Sequence, residues 1–146
     1  MKIAALCFLL FASGTCASAQ VAPKPKTTLA ATPPTQETPE QLVQRQLDAY
    51  NARNLEAFVA TYDEQVELLR FPAVLQSVGR AKLREQYEKF FAATPNLHCE
   101  LVHRSVLGNK IIDHERVTGL PNGQTLEALA IYEVEKGLIR RVTFVR

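Results

Sequence analysis

The sequence has no apolar run long enough to cross a membrane as a helix; the stretch Ile3 to Ala12 falls well short of the ~20 residues needed. Charge of neither sign is in excess: 17 Lys and Arg stand against 15 Asp and Glu, a formal net charge of +2. Binding to nucleic acid usually needs a concentrated basic face, and here the basic residues are scattered, so no nucleic-acid partner is expected. There is no glycine-rich phosphate loop, no Ser-His-Asp spacing, no nucleotide motif and no internal repeat, which removes the chemistries read from those patterns. No cofactor is expected. At 146 residues the chain suits one domain of ordinary size.

The N-terminus has the layout of a secretory signal. Lys2 supplies the positive start, Ile3 to Ala12 the apolar segment, and Ala17-Ser18-Ala19 a small-x-small cleavage pattern. The expectation is a leader over 1–19, a mature chain beginning at Gln20, and a periplasmic or secreted location. Cysteine is then scarce. Cys7 and Cys16 leave with the leader, and Cys99 alone remains, so the mature chain has no internal disulfide. Cys is among the most often buried residue types, and Cys99 is read as a small buried hydrophobe.

Residues 20–37 are rich in proline and lack bulky apolar periodicity, so they read as a flexible tether that cannot bury enough surface to order itself. Folded structure is expected over 38–146. Thr38, Pro39 and Gln41 form a helix start with a capping box, and Val43, Leu47 and Tyr50 follow on one face. Asn54 caps a second helix with Leu55, Phe58, Val59 and Tyr62 as its apolar stripe. A strand is expected over about 67–71, with a short extended piece near 74–76. A third helix over about 80–92 carries Leu83, Tyr87, Phe90 and Phe91 on one side. The remainder reads as strands over about 97–107, 110–118, 125–135 and 138–146, with turns at Gly108-Asn109, Pro121-Asn122-Gly123 and Lys136-Gly137. The expected class is α+β: three N-terminal helices packed on a curved antiparallel sheet. A strongly twisted sheet curls, and helices on its concave face leave a hollow suited to a small, partly apolar molecule.

Four passages carry a resemblance to the NTF2-like superfamily, whose members include SnoaL-like cyclases and ketosteroid isomerases. They are Gln41–Leu55, Phe58–Asp63, Gly79–Tyr87 and Ile131–Val142. The resemblance implies the NTF2-like cone fold over about 38–146 and a homodimer paired through the open sheet face. It does not imply steroid isomerisation. Laying the first helix on that of the ketosteroid isomerases puts their Tyr at Gln46, their base near Leu69 or Arg70, and their second Asp near Ala130. None of those residues is present. An Asp-Arg-Asp arrangement like that of the related epoxide hydrolases could be assembled from Asp113, Arg116 and Glu127 only with a bulge.

The densest polar cluster within a strand is Asp113-His114-Glu115-Arg116. Alternation puts Asp113, Glu115 and Val117 on one face and His114, Arg116 and Thr118 on the other. A regular hairpin at Asn122-Gly123 would set Thr118 opposite Glu127, Glu115 opposite Ala130 and Asp113 opposite Tyr132. One face then holds Asp113, Glu115, Val117, Ala128, Ala130 and Tyr132; the other holds His114, Arg116, Thr118, Glu127, Leu129 and Ile131. Either face could look into the hollow. The acid/base candidates are therefore Asp113, His114, Glu115 and Glu127, and the candidate ligand contacts are Tyr50, Tyr62, Tyr87, Phe90, Arg116 and Tyr132. The alternative is a solvated ion-pair ladder. His98, Cys99 and His103 are not read as a metal site, because a regular strand points the two histidines to opposite faces. Three functions fit: a small-molecule binding domain, an enzyme of the SnoaL-like kind, and an envelope protein-interaction module.

Overall fold

The computed structural model describes residues 36–146. The expected leader and all but the last two residues of the expected tether lie outside the described residues. Helix α1 (Pro39–Asn51) starts as its sequence dictates: Gln41 N donates to Thr38 Oγ1 at 3.2 Å and Thr38 N donates to Gln41 Oε1 at 2.9 Å. Asn54 caps α2, which is only Leu55–Val59. Strand β1 (Tyr62–Arg70) therefore begins earlier than expected, and Tyr62 belongs to it rather than to the helix. β2 (Val74–Val78), α3 (Arg80–Ala93), β3 (His98–Leu107), β4 (Lys110–Thr118), β5 (Leu126–Glu135) and β6 (Leu138–Val145) follow, with a 3-10 turn over Pro121–Gly123. No helix among the described residues is long and apolar enough to cross a membrane.

The six strands form one curved sheet in the order β2-β1-β6-β5-β4-β3. It is not purely antiparallel, because β1 runs parallel to β6. The core lies between the inner sheet face and the helices, where Leu42, Val43, Phe58, Leu83, Ile111 and Val142 belong to one buried cluster. β3 is an edge strand. Beside it the Asn51 amide does what a neighbouring strand would do, accepting from Cys99 N at 2.7 Å and donating to Cys99 O at 3.0 Å. That clamp fixes the C-terminal end of α1 over the inner face of the sheet.

Two departures from regular geometry decide what faces inward. The β4–β5 connection is longer than a two-residue hairpin, so Arg116 pairs with Glu127, Glu115 with Ala128 and Asp113 with Ala130. The register differs from the expected one by two positions. A shift of two preserves pleat parity, so both predicted face sets survive intact. The second departure is a bulge at Val102: Leu101 pairs with Glu115, but His103 pairs with His114 and Arg104 with Asp113. The extra residue moves Arg104 to the inner face. It also brings His98 and His103, which pair with Thr118 and His114, onto the same outer face, contrary to the alternation of a regular strand. Among the described residues no His, Cys, Asp and Glu group is placed to hold a metal ion.

Gly119 closes the approach of the β4 end to the segment before β3. Its φ is +72°, and a Cβ there would sit 1.9 Å from the Asn96 carbonyl oxygen. Gly108 has a similar φ of +61° but open space around it. Gly108→Ala should therefore cost only the left-handed backbone penalty, about 1 kcal/mol, whereas Gly119→Ala adds a backbone collision and should cost roughly 3 kcal/mol or more. Urea denaturation of both variants checks this, and equal losses would contradict it.

Candidate ligand cavity and its buried carboxyl

The inner face of β4 carries two acidic side chains in succession, Asp113 at 0% exposure and Glu115 at 8%. Their environments differ. Arg104, brought inward by the Val102 bulge, forks onto Asp113 with Nε to Oδ1 and Nη2 to Oδ2 both at 2.7 Å. The same guanidinium donates to Gln44 Oε1 at 2.9 Å, tying β3 to α1. A buried carboxylate with a bidentate arginine has its charge offset, and losing either partner would strand the other. This pair is structural, and Asp113 does not line the cavity.

Glu115 has no such cation. Its one hydrogen bond among the described residues comes from the Tyr132 hydroxyl, which donates to Oε1 at 2.8 Å. Burial pushes its carboxyl up to about 7; the Tyr132 hydrogen bond opposes that, and the Asp113 charge adds to it. Glu115 opens onto a cavity of about 380 Å³ between α1, α3 and the inner sheet face. All four tyrosines of the chain, Tyr50, Tyr62, Tyr87 and Tyr132, line it, together with Phe90 and Phe144. Burial raises the Tyr87 hydroxyl to about 12 and also pushes up those of Tyr50, Tyr62 and Tyr132, so all four are neutral at ordinary pH. Burial also holds Cys99, another lining residue, as a thiol at about 12. Gln46 Nε2 donates to Tyr62 Oη at 3.0 Å, while Gln46 Oε1 is buried with no partner. At the rim, the Arg146 guanidinium lies 5.3 Å from the centre of the Phe144 ring.

The predicted ligand contacts Tyr50, Tyr62, Tyr87, Phe90 and Tyr132 thus come together around one hollow, with Glu115 beside them. His114, Glu127 and Arg116 do not. They project from the opposite sheet face, where Arg116 Nε donates to Glu127 Oε1 at 2.9 Å, Arg116 Nη1 reaches Glu100 Oε2 at 3.1 Å, and His114 Nε2 lies 3.3 Å from Glu127 Oε2. This is a solvated ion-pair ladder, in which opposed charges on neighbouring strands offset one another. The β4–β5 pairing has no bulge, so Asp113, Arg116 and Glu127 never gather on one face, and the epoxide-hydrolase-like arrangement is not formed. Leu47, Leu120, Leu126, Gln86 and Arg146 also line the cavity without having been singled out. The apolar periodicity of α1 could have flagged Leu47 as cavity-facing; Arg146, the last residue of the chain, offered no such signal.

The sequence profile of the SnoaL-like domain matches residues 43–142. The chain belongs to the SnoaL-like domain family. Solved structures agree on the fold. A cystatin-fold protein of Novosphingobium aromaticivorans superposes with a TM-score of 0.70 at 22% identity, covering 75% of this chain and 98% of that one. An NTF2-like protein of unknown function from Cytophaga hutchinsonii gives 0.63 at 22% identity, covering 76% and 91%. A candidate polyketide cyclase of Pseudomonas putida gives 0.58 at 28% identity, covering 73% and 90%. No curated protein matches the chain.

The raised Glu115 carboxyl has a consequence for stability. The ordinary value of 4.5 applies in the unfolded chain, and the folded value is about 7. The protonated form is thus favoured by folding. Its contribution is complete below pH 4.5 and is lost as pH rises through 7, with a total on the order of 3 kcal/mol. Glu115→Gln, which mimics the neutral form, should flatten this dependence and leave the variant more stable than the parent above pH 7. Denaturation midpoints measured from pH 4.5 to 8 test it; parallel curves for parent and variant would refute the assignment.

Proposed function

We propose that this SnoaL-like domain binds a small, partly apolar molecule in the cavity beside Glu115. One observation carries the reading: a hollow of about 380 Å³ walled by aromatic and aliphatic side chains, with a buried carboxyl and four tyrosines lining it. Convergent polar groups in an apolar cleft fix a ligand's orientation while its hydrocarbon surface supplies most of the affinity. Thermal shifts with a panel of sterols, terpenoids and polyketide fragments test it. The expected result is a concentration-dependent rise in Tm for at least one class, and no rise with any of them would count against the reading.

A second reading has its own support. A carboxyl held at about 7 is poised to take up or release a proton at neutral pH, and Tyr132 holds it in place. In that case Glu115 serves as the acid or base of an isomerase, cyclase or hydrolase. Glu115→Gln should then lower turnover roughly 10²- to 10⁴-fold. Asp113, His114 and Glu127 are not assigned this role, since one is paired to Arg104 and the others face away.

We also infer export and self-association. The leader pattern over 1–19 supports the first. The open outer sheet face supports the second, since Leu129 lies exposed on it beside the Arg116 and Glu127 pair. Light scattering on protein recovered from the periplasm or medium, with its N-terminus sequenced, should give twice the monomer mass and a start at Gln20. A monomer at micromolar concentration, or an intact Met1, would overturn the respective half.

A further inference from the structure

The hydrogen bonds left unmade in the cavity restrict what can occupy it. Glu115 Oε2 has no hydrogen-bond partner among the described residues, and neither has the Gln46 oxygen, which is sealed from solvent. Once ionised, Glu115 presents Oε2 to the cavity as a bare acceptor, beside the Tyr50 and Tyr87 hydroxyls, which can donate or accept and are also without partners among the described residues. An ionised buried carboxylate is costly without a nearby cation, and Arg104, the one basic side chain on the inner face of β3, is already committed to Asp113. Around Glu115 stand aromatic rings, whose faces attract positive charge. Tyr50 and Tyr87 pack edge to face with centroids 6.3 Å apart, and Phe90 lies 6.4 Å from Tyr50.

We propose that the ligand is an organic amine on a compact apolar body, its ammonium group donating to Glu115 and its hydrocarbon held among Tyr50, Tyr87 and Phe90. The assignment rests on the cavity being a binding site and specifies which end of the ligand enters first. An ammonium supplies both the missing charge and the missing donors, whereas a hydroxyl supplies one donor and no charge. A carboxylate would meet Glu115 with like charge. The charged and titratable groups around Glu115 are consistent with this balance. Asp113 and Arg104 offset each other, Tyr50, Tyr62, Tyr87, Tyr132 and Cys99 are neutral, and Arg146 sits exposed at the rim. Because Glu115 is near its midpoint at pH 7, seating an ammonium beside it drives off the remaining proton.

Three isosteric probes separate the possibilities: 1-adamantylmethylamine, 1-adamantanemethanol and 1-adamantanecarboxylate, titrated calorimetrically into the parent protein at pH 7 in two buffers of different ionisation enthalpy. The amine should bind at least tenfold more tightly than the alcohol, with net proton release to the buffer. In Glu115→Gln that advantage should vanish. Arg146→Ala, an exposed change that leaves the core intact, should strengthen amine binding about two- to threefold at low salt and weaken the carboxylate. Binding of the alcohol or carboxylate as tightly as the amine would overturn the amine assignment and leave the binding site standing. So would silence from all three while a sterol or polyketide probe still raised Tm. Silence from every probe would remove both readings. Proton uptake in place of release, or an undiminished amine preference in Glu115→Gln, would equally overturn the assignment.

Discussion

Two carboxyls one pleat apart on the inner face of β4, with a cation supplied to only one of them, set the character of this domain. Asp113 is buried completely and is made tolerable by the Arg104 fork at 2.7 Å. Glu115 is nearly as buried and receives a single phenolic hydrogen bond. The first arrangement is closed: charge is matched, donors are used, and the guanidinium is tied onward to α1 through Gln44. The second is open on one side. An interior of low effective dielectric turns that asymmetry into chemistry, and the carboxyl without a cation is the one that changes charge near neutrality.

The fold supports this asymmetry at a distance. The Val102 bulge costs β3 a regular ladder step but rotates Arg104 inward, and without it Asp113 would lack its counter-ion. The Asn51 clamp on Cys99 holds α1 against the sheet edge, which keeps Gln46, Leu47 and Tyr50 over the cavity. The aromatic cluster of Tyr50, Phe58, Tyr87 and Phe91 braces α1, α2 and α3 against one another, with ring centroids 4.4 to 6.3 Å apart. Rings packed at such separations resist collapse into the hollow, because closing it would forfeit their contacts with each other. The other sheet face repeats the same residue types to a different end. His114, Arg116, Glu127 and Glu100 meet in water, where their pairing is worth little energetically.

Membership of the SnoaL-like family accounts for the cone and says little about the contents of its cavity. Laying the first helix on that of the ketosteroid isomerases puts Gln46, Leu69 or Arg70, and Ala130 where their acid and donor residues are expected. Gln46 still reaches the cavity, but as a neutral amide bonded to Tyr62. Similar scaffolds with different polar linings bind and transform different molecules, and it is the lining that carries function.

What the sequence determined by itself was local and periodic. The capping box at Thr38 and Gln41, the turn residues Gly108-Asn109 and Lys136-Gly137, the three helices and the last four strands follow from short-range preferences. The two face sets of β4 and β5 follow from pleat parity, which survived a register two residues away from the expected one. Tertiary structure alone decided the rest. Nothing within β4 says which of its faces turns inward, because that depends on where α1 and α3 lie across the sheet. Nothing around Val102 marks a bulge, and strict alternation would put Arg104 on the face of His98 and Glu100, so the partner of Asp113 was invisible. A carboxyl's affinity for its proton is likewise a property of the groups packed around it. That of Glu115 is set by neighbours drawn from β3, β5 and the helices, brought together only when the chain has folded.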